Sequence, residues 1–479
     1  MDAVCVAALT GEELSIMPPR FPKADPSRAL KGAETLITTC LGLKANHELL
    51  IVTDEFHSDE VTCMFTAAKT LEVRAAAIIV PLYDQRTFHE GDMLHETIRE
   101  AVLKCSGLAV ITEYSQETTP FRMKTLQYVS EYNKQCRSAS MPGVRLEHFH
   151  YIDTDYAALV KDCSDLAELL LRTDTIGIVT GLSGAKHTLS VDIAAQRPRT
   201  SVGLPDKGEW ANVPSGETFV LPGPGAANGI IAIDGSLPGI PLNGKEVTFQ
   251  VEDSKIASIN SQSSDLAERS RRLFFSDYER RVERSSNSTM LSEVGFGANR
   301  ALTKFHGIPM LDEKNYGTVH VAFGQNSALG GSIHGAAHLD LVVRNAIVYL
   351  DGLREPLLKD HKYRMAPRDV RPSWRVVRGD APFDRVVTLT GVDCRVDKES
   401  GALLLKWYPP RGNGRETRVG DDETSVIAGT IYSLMPRQPD SGMKMSDLVK
   451  RARRRGLTAA QIEGTIRVMT SYKTVKFVD

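Results

Sequence analysis

The sequence predicts an α/β N-terminal domain with a parallel sheet, followed by an α+β metal-binding domain and a small C-terminal winged-helix-like unit. Three observations predict it. Between Ser27 and His150, short apolar runs alternate with amphipathic stretches of 10–15 residues. After Tyr156 the apolar runs become short, β-prone and bounded by Gly, Pro and Asn. Beyond Thr424, helix-start signals recur before a terminal alternating run, KTVKFV.

The first region reads in order as helix Ser27–Gly42, strand Glu48–Thr53 (ELLIVT), helix Ser58–Leu71 and strand Ala75–Pro81. Helix Leu94–Cys105, strand Gly107–Thr112 (GLAVIT), helix Phe121–Cys136 and a turn at Met141–Val144 follow. Strands apolar on both faces and separated by amphipathic helices indicate βαβ units and a parallel sheet. Neither GxGxxG nor GxxxxGK[ST] occurs there, so no phosphate-cradling loop is expected. Tyr156–Arg172 has helical spacing of its apolar residues. Thr175–Val179, His187–Ile193, Thr218–Leu221, Ile230–Ile233 and Lys245–Val251 read as strands, and Leu266–Arg284 as a charged helix. At 479 residues there is room for about three domains. The boundaries expected are 1–150, 151–358, a β-rich connector over 359–417 with strand-like runs Val386–Val392 and Ala402–Tyr408, and a helical unit over 418–479. In that last unit Thr458 and Gln461, after Gly456, make a capping box.

Composition narrows the function. Lys plus Arg number 58 against 60 Asp plus Glu, a net charge of −2, which excludes a general polyelectrolyte binder. No apolar run approaches the ~20 residues of a membrane span. The N-terminal stretch carries Asp2, Glu12 and Glu13 without a basic region, unlike a secretory signal. Seven scattered cysteines without CxxC argue for reduced thiols, a cytoplasmic location, and neither a disulfide scaffold nor a zinc ribbon. The run Lys450–Arg455 has five positive residues in six. It could dock a nucleic acid backbone or an acidic peptide, but three consecutive arginines wrap around a helix, so it reads as a solvated face.

Chemistry concentrates in the second region. Glu217 ends WANVPSGE, Glu293 sits in LSEVGFGAN, and His320 lies in the apolar strand TVHVAF. His338 and Asp340 stand at i and i+2, one face of a strand. Taken singly, each has an ordinary reading: a satisfied core histidine, or a solvated turn carboxylate. Together, amid Gly295, Gly297, Gly324, Gly330 and Gly331, they suit one or two divalent ions of borderline hardness such as Zn, Mn, Co or Fe(II). His334 has HxxxH spacing to His338, but its glycine-rich surroundings do not favour a helix, so it ranks below His338.

The motifs occur in the order W-x-N-x-P-x-G-E, L-x-E-x-G-x-G-x-N, D-E-K-x-x-G-T-V-H-x-A-x-G and H-x-D. In this order they resemble the leucyl aminopeptidase group that includes aminopeptidases T and S, over roughly residues 27–350. The resemblance implies a homodimeric, cytoplasmic metallo-aminopeptidase acting on a peptide or amide, with two divalent ions (Zn, Mn or Co). It implies metal ligands Glu217, Glu293, His320, His338 and Asp340, with Glu293 bridging, and Glu313 as catalytic acid/base or a further ligand. The sequence departs from the family's peptidases at Ser327, where a tyrosine is common. It also resembles the dihydroxypyridine ring-cleaving dioxygenases, which hold one Fe(II) by two histidines and an aspartate. Here His320, His338 and Asp340 could supply that triad. A third expectation is a non-catalytic scaffold whose C-terminal unit recruits a peptide or nucleic acid.

Overall fold

The computed structural model describes residues 25–364, except 90, 115–117, 172, 183–185, 195, 276–286, 335–336 and 352–354, together with short stretches beyond residue 385. Helix α1 (Pro26–Thr35) starts at Asp25, whose carboxylate accepts from the amides of Ser27 and Arg28. It continues through a π-helical turn at Leu36–Cys40. Then come β1 (Glu48–Thr53), α2 (Ser58–Thr70), β2 (Arg74–Ile79), α3 (Leu82–Thr87), α4 (Glu96–Lys104), β3 (Gly107–Thr112), α5 (Thr119–Tyr132) and β4 (Arg137–Pro142). These strands pair in parallel in the order β2-β1-β3-β4. β1 and β3 are buried almost throughout, as central strands covered by helices on both sides must be. Two elements escape the sequence pattern, α3 and β4. The run RSASMP of β4 lacks large apolar residues, yet Ser138 and Ser140 are fully buried in the sheet.

The second region begins with α6 (Tyr156–Leu171), which buries Leu159, Cys163, Leu166 and Leu170. The strands that follow are β5 (Thr175–Thr180), β6 (His187–Asp192), β7 (Arg199–Ser201), β8 (Trp210–Asn212), β9 (Glu217–Val220), β10 (Ala227–Ile233), β11 (Val247–Glu252) and β12 (Lys255–Asn260). Next are α7 (Ser264–Phe275), β13 (Leu291–Gly297), the single-turn α8 (Pro309–Asp312), β14 (Val319–Gly324), β15 (His338–Val343), β16 (Ile347–Leu350), β17 (Leu358–Lys359) and β18 (Lys362–Tyr363). The expected helix Leu266–Arg284 is seen as α7; its remainder falls within 276–286, outside the described residues.

Eight of these strands form one antiparallel sheet, β12-β11-β10-β6-β5-β16-β17-β18, and five form another, β15-β14-β13-β9-β7. One apolar core joins them: Ile176, Ile178, Leu189 and Ile231 from the larger sheet meet Val294, Phe296, Val321, Phe323 and Leu341 from the smaller. β8 belongs to neither. It returns to the N-terminal sheet as a fifth parallel strand, pairing Ser138 with Trp210 and Ser140 with Asn212. The chain therefore crosses back over residue 150 before it reaches Glu217.

Beyond residue 385, Val386–Leu389 pairs antiparallel with Val475–Val478 and with Met443–Lys444, so the segments 359–417 and 418–479 share a sheet. Asp393–Val396, Leu403–Lys406 and Glu416–Arg418 form a second three-stranded sheet. The helices expected for a winged-helix-like unit, including the capping box at Thr458, lie mostly outside the described residues; of the Lys450–Arg455 run, Arg451, Arg454 and Arg455 are exposed and Ala452 is buried. Among the described residues no helix is long and apolar enough to cross a membrane.

Candidate metal centre

The smaller sheet is built as two unlike faces. In β14 the side chains of Val319, Val321 and Phe323 enter the core, while His320, Ala322 and Gly324 point the other way. Register carries the second face across the sheet. Gly295 lies opposite His320, and Glu293 opposite Ala322. Asp340 is also opposite Ala322, with His338 opposite Gly324, and Glu217 opposite Gly297. Paired residues share a face, so Glu217, Glu293, His320, His338 and Asp340 converge on one surface, interleaved with residues of little or no side chain. A β-bulge between Leu291 and Glu293 adjusts the aim of Glu293.

The glycines are required by space. A Cβ on Gly295 would lie 2.1 Å from His320 Nε2. One on Gly297 would lie 2.1 Å from the Asn315 carbonyl oxygen and 2.6 Å from that of Glu313. Gly297 thus admits the loop after α8, which brings Glu313 and Lys314 over the same face.

Three overlapping groups of donor atoms result: Glu217, Glu293 and His320; Glu293, His338 and Asp340; and Glu313, His320 and Asp340. Within each, the atoms lie within 4.8 Å of one another. His320 Nε2 is 3.2 Å from Glu293 Oε1 and 3.5 Å from Glu217 Oε2. His338 Nε2 is 3.2 Å from Glu293 Oε2 and 3.1 Å from Asp340 Oδ1. The other nitrogen of His338, Nδ1, donates to the Gln325 carbonyl at 2.6 Å. That bond sets the ring so that Nε2 faces the carboxylates, the usual support of a ligating imidazole.

The six residues that the resemblance implied for this site, Glu217, Glu293, Glu313, His320, His338 and Asp340, are brought together in one largely buried cluster. His334 is exposed and is not among the clustered donors. Ser327 opens a short 3₁₀ turn and its hydroxyl accepts from Gln325 Nε2. One participant was not foreseen. Lys314, fully buried, donates to Glu217 Oε1 at 2.9 Å and also bonds Glu313. The sequence carries it in plain view within D-E-K, but only the tertiary fold turns its ammonium inward between two acids.

Four carboxylates thus meet a single lysine, and the histidines respond. Burial alone would strip the proton from His320, but the hydrogen bond to Glu293 and the charges of Glu313 and Glu217 outweigh it, raising the imidazole to about 9. His338 goes well above its usual value in the same way, with Asp340 and Glu293 overcoming burial. Glu313 is pushed up to about 8 by burial and then by Asp340. Glu293 and Asp340 are held low despite burial, by His320 and His338 in the first case and mainly by His338 in the second. The imidazole protons stand where a divalent cation would take their place, and a mixed imidazole and carboxylate set fits an ion of borderline hardness. Nδ1 of His320 and Oε2 of Glu313 are buried without a hydrogen-bond partner, so the cluster is not saturated by its own members.

The comparisons with known proteins agree with this geometry. The family model described as NicX, 2,5-dihydroxypyridine 5,6-dioxygenase, matches residues 157–359, which contain all six clustered donors. Among solved structures, the 2,5-dihydroxypyridine dioxygenase of Pseudomonas putida KT2440 is similar in fold, with a TM-score of 0.54 at 14% identity, covering 73% of this chain and 100% of that one. Wild-type AmpT from Thermus thermophilus gives a TM-score of 0.51 at 17% identity, covering 71% of this chain and 100% of the other. No curated protein matches. The double resemblance read from the motif order, to the aminopeptidase T group and to the ring-cleaving dioxygenases, is thus found in the fold as well.

Proposed function

We propose that this chain is a mononuclear, Fe(II)-dependent dioxygenase that opens a hydroxylated aromatic ring of the dihydroxypyridine type. The observation that carries the reading is Lys314. A dinuclear peptidase site needs Glu217 as a ligand of its second ion, whereas here one of its oxygens, Oε1, is engaged by a buried ammonium at 2.9 Å. A buried cation paired to two acids supplies the positive charge that a second ion would bring. Of the other donors, His320 and His338 each share a group of donor atoms with Asp340 and with Glu293, so the two imidazoles are joined by common carboxylates. The family model matched over 157–359 supports the same choice.

When bound, a redox-active divalent ion would supply the one-electron chemistry with dioxygen that ring cleavage requires. The protein's own residues do the rest. The Gln325 carbonyl fixes the His338 ring, and Gly295 gives His320 the space to reach the cluster. Lys314 holds Glu217 and Glu313 in place. Glu313, buried beside Asp340 and His320, is positioned to take a proton from a ring hydroxyl and return it.

One observation favours the other reading, a dinuclear aminopeptidase. Glu217 and Glu293 both lie in the cluster with His320, as two adjacent ions would require. Oxygen uptake with 2,5-dihydroxypyridine, measured beside hydrolysis of leucyl amides on the iron-loaded protein, separates the two. The expected result is oxygen uptake matched to ring loss and no amide hydrolysis, both unchanged in sign by Glu217→Ala. Amide hydrolysis that Glu217→Ala abolishes would overturn the dioxygenase reading.

A further inference from the structure

The carboxyl ends of the N-terminal sheet's strands lie against the turn that leads to Glu313 and Lys314, with Tyr114, Ile308, Met310 and Leu311 in one apolar cluster. In the order β2-β1-β3-β4 the chain leaves β1 in opposite directions, so β1 and β3 flank the topological switch point. Ligands of open parallel sheets bind outside the carboxyl ends of strands at such a point. Tyr114 stands two residues after β3 and Arg122 in the first turns of α5.

Tyr114 is wedged against the backbone of the turn after β4. A Cβ on Gly143, which has φ +69°, would lie 2.6 Å from Tyr114 Cβ and 3.5 Å from Ile308 Cγ2. Ile308 caps α8, the turn that delivers Glu313 and Lys314 to the cluster. Tyr114 also packs against the core that contains Met310 and Leu311 of that turn. Burial, then the charges of Asp340 and Glu313, push its hydroxyl well above the ordinary value.

Arg122 is half-buried and, among the described residues, has no carboxylate partner. Among the described residues its Nη1 and Nη2 reach the hydroxyls of Thr112 at 3.4 Å and Thr119 at 3.3 Å, and Nε is enclosed without a hydrogen-bond partner. Burial lowers its pKa to about 10, with Tyr114 as the opposing influence. A guanidinium kept from water without an acid is costly to the fold, and its planar fork is shaped for a carboxylate. Thr112, which Arg122 Nη1 reaches, ends β3 two residues before Tyr114.

We propose that Arg122 and Tyr114 bind a carboxylate substituent of the substrate, so that the ring acted on is an aromatic acid held between the N-terminal sheet and the metal centre. This rests on the dioxygenase reading for the ring, but not for the carboxylate. The test is calorimetric binding, under nitrogen, of 3,4-dihydroxybenzoate and catechol to the full-length, iron-loaded chain. The two probes differ only in a carboxylate remote from the hydroxyls. The expected result is at least about tenfold tighter binding of the acid. Arg122→Met should erase that preference with iron content and catechol affinity unchanged within about twofold, and Tyr114→Phe should weaken the acid by a smaller factor. Should Arg122→Met fail to fold, Arg122→Lys should keep part of the preference, since it retains the charge and loses the fork. Equal affinity of the two probes for the wild type, or a preference that survives Arg122→Met, would overturn the proposal. Failure of the dioxygenase reading would appear separately, as absent oxygen uptake with the acid preference intact.

Discussion

At Gly295 the site depends on the absence of a side chain. The position belongs to an antiparallel strand, where any residue could satisfy the backbone, but the space above it is filled by the His320 ring. Gly295→Ala must push that imidazole off its position, at about 1–3 kcal/mol for an overpacked core site. The expected outcome is a folded protein that loses most of its bound metal, seen as an unchanged far-ultraviolet spectrum with metal content well below wild type; full metal retention would mean that His320 is not a ligand. The strand patterns that place these residues were readable from the sequence. Valine, histidine, valine, alanine, phenylalanine, glycine in β14 states by itself which side chains face the core. Lys314 was not readable, because a lysine after two acids looks like a solvated turn until the fold buries all three.

At the scale of elements, the turn over residues 146–151 couples the N-terminal unit to the loop before α8. His148 Nδ1 accepts from the Arg145 amide at 3.0 Å, and its ring packs edge-on against that of His306. Burial lowers His148 to about 3, and burial lowers His306 to about 4. In the unfolded chain a histidine titrates near 6.5. Above that value neither state binds the proton and His148 contributes nothing to pH dependence. Below it the unfolded state takes up protons that the folded state refuses, so stability falls with falling pH. For His148, which is almost wholly enclosed, the slope approaches about 1.4 kcal/mol per pH unit between pH 6 and 4. Urea unfolding of wild type and His148→Gln at pH 7 and pH 5 checks this: the variant should lose less stability between the two than the wild type does. β4 shows the converse limit of sequence reading. Its buried serines give no hydrophobic signal, and it is a strand because β3 on one side and β8 on the other complete its backbone bonds.

For the whole molecule, the cluster lies where the antiparallel domain meets the parallel one, and the hairpin β17–β18 holds the covering loop in place. Tyr363 Oη donates to the carbonyl of Gly297 at 2.8 Å, and a Cβ on Gly317 would lie 2.4 Å from the His361 carbonyl oxygen. The solved structures similar in fold are covered in full by 73% and 71% of this chain. A chain ending after Arg364 should therefore fold and bind metal as the full chain does, whereas one ending after Glu355 should lose metal because the hairpin is gone. Metal content of the two truncations checks this, and equal retention would deny the hairpin its role. The alternation of βαβ units made the N-terminal sheet legible. The return of Trp210–Asn212 to that sheet was not, because three residues carry no periodicity and the pairing is decided by where β4 lies.

The central claim is that Lys314 leaves room for one divalent ion. It is tested most directly by counting metal per chain in the wild-type protein after anaerobic loading and removal of excess ion. The account predicts about one ion per chain, whether iron, manganese or zinc is offered. Two ions per chain, bound with Lys314 still in place, would contradict it.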